Sequence, residues 1–357
     1  MSYIIGFGAY RYALALLVVL HHLRLWVPLA ETVDWGVHAV LSFFVISGYM
    51  IARILDKSYS GDHRKLRFLL NRALRLLPAH WATLVFLLFT FFVVPDAMLG
   101  WGLGKGATNP LDTFSVFNWI ENFLLVGNAH LANFPTWTIR LELYLYLVAL
   151  LLFPMHRYVV VGCLLVGLCA SMTWPLAALA AYPPYSVGLL ASLFPFSAGA
   201  CAYHFRAKIP QFSTFSCYAA TSVSLLFIVG LKVWGLAVET SALISVFMTT
   251  AAVVILQSRR QHTAPRCYRI DEFLGDMSYT VYLIHKPVMI WIGWIAMTGS
   301  LFTTTSVWFV FAMMAMSHLL GLAVNRVVER PVKVVRAKIR KRKIVLSEKE
   351  KGVASQI

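Results

Sequence analysis

Residues 11–22 read RYALALLVVLHH, so an arginine and two adjacent histidines stand at opposite ends of an aliphatic run. An ionisable side chain in the centre of a bilayer costs at least about 2.5 kcal/mol, so such a residue normally faces a partner or a wet cavity. Histidine changes charge near neutral pH and commonly serves as a general acid or base. We therefore consider His22 a candidate general base; the alternative is that it only caps the first helix. His21 points about 100° away on the same helix.

A carboxylate that could assist His22 occurs in the segment WTIRLELYLY at 137–146. Helix rise places His22 roughly 16 Å across the membrane from Arg11, and Glu142 one to two turns from the outer end of its own helix. The two side chains are therefore predicted to lie at similar depth, where a carboxylate can orient an imidazole and raise its basicity. The alternative is that Glu142 pairs with Arg140 or with a neighbouring helix.

Arg72 and Arg75 are three residues apart and share one helix face, with Lys65 and Arg67 about a turn earlier. Guanidinium groups bind phosphate oxygens through paired hydrogen bonds, so this face can hold a phosphorylated ligand. The alternative is ordinary basic charge in contact with lipid headgroups.

His285 stands near mid-membrane, two residues before Pro287, whose ring bends a helix. A lone histidine in a helical bundle is often structural, and its role here is either structural or substrate-binding. We expect Glu329, near the end of the last predicted helix, to form a structural ion pair with Arg72, Arg75 or Arg326.

The composition indicates an all-α integral membrane protein. Of its 357 residues 59% are hydrophobic and 13% charged, and its mean hydropathy is +0.72, whereas about a quarter of a soluble domain is charged. We predict a transmembrane domain at 1–335 and a basic cytoplasmic tail at 336–357. The apolar stretches predict about ten transmembrane helices, at 8–27, 35–54, 76–95, 137–154, 158–178, 185–204, 213–231, 237–257, 276–297 and 304–328.

The net charge of +16 is concentrated in alternate connections. Seven basic residues lie from Arg53 to Arg75 and eleven from Arg326 to Lys351. This asymmetry is typical of cytoplasmic loops and predicts that both termini are cytoplasmic. It argues against nucleic-acid binding and for contact between the tail KIRKRK and anionic lipids. The five cysteines show no metal or disulfide spacing.

The longest predicted non-spanning segment is 96–136, which mixes tryptophan and phenylalanine with polar residues. It reads as an interfacial loop or half-helix outside the cytoplasm. Two roles stay open for it: lining the access of an external partner, or capping the bundle.

Five segments together resemble the membrane acyltransferase 3 family, whose members O-acetylate surface sugars such as those of lipopolysaccharide. Arg11 and His22 fit its arginine-x10-histidine motif, and the other four matches are FFVISGYMI at 43–51, RALRLLPAHW at 72–81, WTIRLELYLY at 137–146 and MSYTVYLIHKPV at 277–288. Two positions depart from the family pattern, Leu41 in place of an acidic residue and His80 in place of tyrosine.

The resemblance implies that His22 is the catalytic histidine, that Glu142 supports it, and that three arginines bind the acyl-CoA donor: Arg11, Arg72 and Arg75. Four further residues are candidates for substrate or structural contacts: Ser47, Trp137, Tyr146 and His285. The expected reaction moves an acetyl group from cytoplasmic acetyl-CoA, without a metal, to a lipid-linked or surface polysaccharide at a bacterial inner membrane. A transporter of a small acylated or sugar solute and a non-catalytic polysaccharide-binding scaffold are the alternatives.

Overall fold

The computed structural model describes residues 4–23, 35–58, 64–103, 108–127, 130–153, 156–173, 185–230, 238–258, 265–299 and 306–339. These residues are almost entirely helical and contain no strand, which confirms the all-α class. The helices are α1 Phe7–Leu23, α2 Trp35–Ser58, α3 Arg64–Val93, α4 Asp96–Leu103, α5 Pro110–Thr113, α6 Val116–Leu124, α7 Thr136–Leu152, α8 Arg157–Thr173, α9 Tyr185–His204, α10 Thr214–Gly230, α11 Val238–Gln257, α12 Pro265–Thr298 and α13 Val307–Val324.

Apolar helices make this a multi-pass membrane protein. Within the described residues, five helical segments are long and apolar enough to cross a bilayer: Trp35–Lys57, Lys65–Val93, Thr240–Gln257, Cys267–Thr298 and Val307–Ile339. Shorter apolar helices occur at Phe7–Leu23, Arg157–Met172 and Thr214–Gly230. The count of ten spans and the cytoplasmic side of both termini stay predictions.

Two helices begin well before the positions predicted from hydropathy. The helix predicted from 76 begins at Arg64, and the helix predicted from 276 begins at Pro265. An apolar window finds only the part of a helix that lies in lipid, whereas backbone hydrogen bonding continues into the polar interface. As a result, Arg72 and Arg75 lie within α3 rather than before it.

The last helix continues past α13 through a π-helical turn, Asn325–Glu329, and on to residue 339. The predicted boundary between a transmembrane domain and a tail, at 335 and 336, therefore falls within helix. Residues 340–357, which contain most of the KIRKRK segment, lie outside the described residues, and the two-domain division stays a prediction.

The segment 96–136 contains three short helices, α4, α5 and α6. Helix α6 begins with a capping box between Ser115 and Asn118 and ends at Leu125 in the left-handed conformation. It exposes Val116, Phe117 and Ile120 while burying Asn122. An exposed apolar face on a short amphipathic helix is typical of a helix that lies in the membrane interface.

Helices α2 and α9 pack closely because each contributes a glycine to their contact. A Cβ atom on Gly48 would overlap the carbonyl oxygen of Phe196, and one on Gly199 would overlap the carbonyl oxygen of Val45. In lipid, where apolar burial does not drive helix association, such small residues let backbones approach and gain van der Waals contact.

Buried hydroxyl groups connect α1, α2, α10 and α11. The Tyr10 hydroxyl lies 2.7 Å from Ser224 Oγ and 3.2 Å from Thr249 Oγ1, which is 2.8 Å from Ser42 Oγ. Ser42 Oγ in turn donates to the carbonyl of His38 at 2.9 Å. Each buried hydroxyl thereby has a partner, so the network favours one arrangement of the four helices.

We expect Gly48→Val to lower the free energy of unfolding by about 1–3 kcal/mol, because the added side chain overlaps backbone that cannot move aside. Thermal unfolding of the purified protein in detergent measures the change. Gly162→Val is the matched control, since a Cβ at Gly162 meets nothing within 4 Å. Equal destabilisation by both substitutions would contradict the close contact.

Candidate functional site

A cavity of about 130 Å³ lies between α1, α2, α3, α7 and α12. Its wall is largely apolar, with a small number of polar groups, which is the usual composition of a small-molecule site. It brings together six residues that the sequence singled out: Arg11, Ser47, Arg72, Arg75, Glu142 and Tyr146.

Glu142 is fixed in the cavity wall by two hydroxyl groups. Its Oε1 accepts a hydrogen bond from Ser47 Oγ at 2.5 Å and another from the hydroxyl of Tyr146, one turn further along α7. The first bond joins α2 to α7. Because both hydroxyl protons point at the carboxylate, they are not directed at a ligand in the cavity.

Two carboxylates balance the positive charge of Arg75. Its Nη1 lies 2.7 Å from Glu329 Oε2 and 3.8 Å from Asp276 Oδ1, and its guanidinium stacks 5.4 Å from the centroid of the Tyr279 ring. The expected ion pair of Glu329 is thus confirmed, with Arg75 as its partner. These contacts indicate that Arg75 holds α3 against α12 and the π-helical turn.

Arg72 has much weaker contacts than Arg75. Its Nη2 lies 3.5 Å from Asn71 Oδ1, its guanidinium is 6.0 Å from the centroid of Phe68, and its Nε is buried without a hydrogen-bond partner. It forms no ion pair within the described residues. Arg72 therefore presents a charged group with unused donors to the cavity, which is the arrangement expected for binding an anion.

His22 and His285 meet next to each other, at the end of α1 and in the middle of α12. His22 Nδ1 is 3.2 Å from His285 Nε2, and the two rings are 5.0 Å apart at an angle of 37°. This pair could not be predicted from the sequence, because 263 residues separate its members.

The carbonyl groups around the two histidines determine where their protons lie. His285 Nδ1 is 2.7 Å from the carbonyl oxygen of Tyr282, and His22 Nδ1 is 2.9 Å from that of Val18. A carbonyl only accepts, so we assign a proton to each Nδ1, which makes His285 Nε2 the acceptor facing His22. The neutral His22 ring then has its lone pair on Nε2, which no described residue engages.

His21 is placed differently from His22, as its position on the helix predicts. Its ring packs edge-on against His22, with centroids 5.2 Å apart, and fills the space beside Gly36. A Cβ at Gly36 would lie only 2.5 Å from the His21 ring. His21 thus packs α1 against the start of α2.

Tyr282 connects the cavity to the histidine pair, and sequence reasoning missed it. Its ring lines the cavity and its hydroxyl lies 2.7 Å from Thr138 Oγ1, while its carbonyl accepts the His285 proton. Tyr282 therefore belongs both to the cavity wall and to the hydrogen bonds of the histidine pair. Tyr282 lies within the YLIH segment, but only its spatial neighbours identify its role.

The structure does not join Glu142 to His22. Glu142 is hydrogen-bonded to Ser47 and Tyr146, His22 to Val18 and His285, and the described residues contain no hydrogen bond between the two side chains. Similar depth in the membrane does not fix the direction in which a side chain leaves its helix, so two side chains predicted at similar depth need not share a hydrogen bond. The catalytic roles of both residues stay predictions.

Asn133 compensates for the proline in α12. Pro287 has no N–H to donate to the carbonyl of Leu283, four residues earlier, and Asn133 Nδ2 donates to that carbonyl at 3.0 Å.

The residue after Asn133, Phe134, packs its ring edge-on against His22, with centroids 6.1 Å apart. The Lys286 ammonium lies 5.8 Å from the Phe134 centroid. The segment before α7 thus contacts both α12 and His22.

Trp137, a candidate substrate contact, is not in the cavity wall and packs against the main hydrophobic core.

No group of three or more His, Cys, Asp or Glu side chains within the described ranges is placed to hold a metal ion. The expectation of a metal-free site stays a prediction.

One family model, described as an acyltransferase domain, matches residues 4–326. No curated protein and no solved structure matches the chain.

We expect Asn133→Ala to reduce the free energy of unfolding by about 1–3 kcal/mol, because the buried carbonyl of Leu283 then lacks a donor. Chemical or thermal unfolding in detergent measures the loss. In a Pro287→Ala background the backbone N–H at 287 can take over, so the same Asn133 substitution should cost clearly less. Additive effects of the two substitutions would show that Asn133 does not compensate for the proline.

Proposed function

This chain belongs to the membrane acyltransferase 3 family, and we propose that it is an acyl-CoA-dependent O-acetyltransferase. The donor in this proposal is cytoplasmic acetyl-CoA, and the acceptor is a hydroxyl group of a cell-surface polysaccharide such as lipopolysaccharide O-antigen. One observation carries the proposal: Arg72, which forms no ion pair with any described residue, lines the same cavity as Tyr282, and the Tyr282 carbonyl holds His285, the partner of His22.

The donor enters from the arginine side in this scheme. Arg72, helped by Arg11, binds the phosphates of acetyl-CoA, because Arg75 is committed to Glu329 and Asp276. The pantetheine arm follows the apolar wall past Ser47 and Glu142. Its length, on the order of 15–20 Å, matches the roughly 16 Å of helix rise between Arg11 and His22, so the thioester reaches the histidines.

His22 Nε2 then takes the proton of the acceptor hydroxyl while the hydroxyl oxygen attacks the thioester carbonyl. The carbon–sulfur bond breaks, and the imidazolium returns the proton to the thiolate of coenzyme A, so no net proton is consumed. His285 supports the charged state, since His22 Nδ1–H is directed at His285 Nε2, 3.2 Å away. This is the orienting role that the third member of a catalytic triad plays.

Glu142 contributes to this mechanism through its charge rather than through a hydrogen bond to His22. Its carboxylate lies in the wall of the same cavity as Arg72, whose positive charge it offsets. A negative charge in a largely apolar cavity also favours formation of the imidazolium over a longer range than a hydrogen bond.

In this scheme the donor and the acceptor reach the protein from opposite sides of the membrane. The basic connections predict that the arginine side of the cavity faces the cytoplasm, where acetyl-CoA is made. The histidine pair lies nearer the opposite side, where lipid-linked polysaccharide is assembled on the bacterial inner membrane. The cavity would then connect a donor on one side to an acceptor on the other without moving either across.

We expect His22→Ala to abolish acetylation of surface polysaccharide, because the base is lost, whereas His21→Ala should retain most of it. Ester-linked acetate on polysaccharide from cells producing each variant measures the difference, with membrane levels of the protein checked in parallel. Normal acetylation by His22→Ala would refute the mechanism. Movement of a solute without thioester cleavage by the purified protein would instead support a transporter.

A second prediction concerns the donor. Arg72→Ala should raise the KM for acetyl-CoA about tenfold or more, since a charge-assisted hydrogen bond to phosphate is lost, while kcat changes less. Release of free coenzyme A by the purified enzyme measures both constants. Lys65→Ala is the matched control, as it removes an exposed positive charge from the same helix outside the cavity. Equal effects of both substitutions would argue for general electrostatic attraction.

A further inference from the structure

A second cavity, of about 270 Å³, lies at the ends of α2, α9 and α11 and shares no residue with the first. Its wall is polar rather than apolar. The residues that define it chemically are Tyr49, Arg53, Lys57, Tyr203, Arg206 and Gln257. Nothing in the proposed acyl transfer uses these residues.

The second cavity is positively charged. Arg53, Lys57 and Arg206 all line it, and none of the described carboxylates does. Asp56 pairs with Arg206, whose Nη2 is 3.6 Å from Asp56 Oδ2, and it also accepts the hydroxyl proton of Tyr203. Lys57 forms no ion pair with any described residue. The cavity therefore has positive charge available for an anion.

The charged groups of this cavity are held in place by their surroundings. The Arg206 guanidinium lies 3.8 Å from the centroid of the Tyr203 ring, and its Nη1 donates to the Tyr203 carbonyl at 2.7 Å. Arg53 is only 5% exposed, and Tyr49 and Tyr203, which line the same cavity, are also buried. Planar guanidinium groups held in this way bind phosphate oxygens with little loss of side-chain entropy.

A buried amide adds a requirement beyond charge. Gln257 Nε2 donates to the carbonyl of Ala202 at 3.1 Å, so Oε1 is the atom left to accept, and it is buried without a described hydrogen-bond partner. An unsatisfied buried acceptor is costly, and a ligand that supplies a hydroxyl proton would remove that cost. The cavity thus suits a ligand with both an anionic group and a hydroxyl group.

The edge of the cavity leads directly to a surface that faces lipid. Ser258, in the cavity wall, accepts a hydrogen bond from the backbone N–H of Phe212 at 3.1 Å, and α10 begins two residues later. Phe215 on α10 is 82% exposed, and Tyr218 and Leu226 are also exposed. In a membrane protein such an apolar helix surface contacts lipid acyl chains. The acyl chains of a lipid whose headgroup lies in the cavity would therefore run along α10.

We propose that this cavity binds the headgroup of a phosphatidylglycerol-type lipid. The phosphodiester lies between Arg53, Lys57 and Arg206, a glycerol hydroxyl donates to Gln257 Oε1, and the acyl chains run along α10. Clusters of basic residues at the cytoplasmic membrane surface attract anionic lipids, and here the cluster is built into a cavity rather than spread over a surface.

Lipid binding to the purified protein in detergent tests the charge requirement, with native mass spectrometry as the readout. Phosphatidylglycerol is the probe. Lys57→Gln should weaken its binding about fivefold, because one phosphate-facing charge is lost. Lys208→Gln, an exposed neighbour outside the cavity, should leave binding unchanged. Equal weakening by both variants would overturn the proposal in favour of diffuse surface charge. Thermal unfolding confirms that each variant is folded.

Phosphatidylmethanol tests the hydroxyl requirement, because it carries the same phosphodiester charge without a headgroup hydroxyl. The wild-type protein should prefer phosphatidylglycerol, and Gln257→Leu should remove the preference. No preference in the wild type would overturn the assignment of Gln257.

Two competing ligands have their own outcomes. Displacement of the lipid by inorganic phosphate alone would show a free-phosphate site and overturn the lipid proposal. A raised KM for acetyl-CoA in Lys57→Gln would assign the cavity to the donor instead. Binding is measured without an acyl donor, so its result is independent of the proposed transferase activity.

Discussion

Pro287, inside α12, determines how the segment before α7 is attached at the candidate active site. It leaves the Leu283 carbonyl without its helical donor, and in lipid no water can replace that donor, so Asn133 supplies one. This bond fixes the segment before α7 to the middle of α12. Phe134 is thereby set against His22, and His285 is set two residues before the proline, within reach of His22 Nδ1. The segment before α7 and helix α1 thus both contact α12 close to its proline.

The same requirement for partners divides the two arginines of α3 into different roles. Arg75 is surrounded by Glu329, Asp276 and the ring of Tyr279, which makes it part of the framework. Among the described residues, Arg72, one turn away, has a long contact to Asn71 and a distant ring at Phe68. A charge left without a strong partner beside a cavity is stable only if a ligand or solvent completes it.

Helix α2 separates two cavities of opposite character. Ser47 faces the first, largely apolar cavity and bonds Glu142, while Arg53 faces the second, polar cavity. Gly48 lets α9 approach between them, so that Tyr203 and Arg206 reach the second cavity. Helix α2 thus contributes residues both to the proposed acyl-transfer site and to the proposed lipid site.

The sequence by itself determined the all-helical class, the approximate positions of the apolar helices and the family, because hydrophobic length and local motifs are properties of contiguous residues. It also identified most polar residues of the first cavity. Only the tertiary structure decided which of them meet: His22 with His285 rather than Glu142, Glu142 with Ser47 and Tyr146, and Arg75 with Glu329. Helix rise predicts depth in the membrane, but the rotation of a helix depends on its neighbours, and partners such as Asn133 and Leu283 leave no local signal.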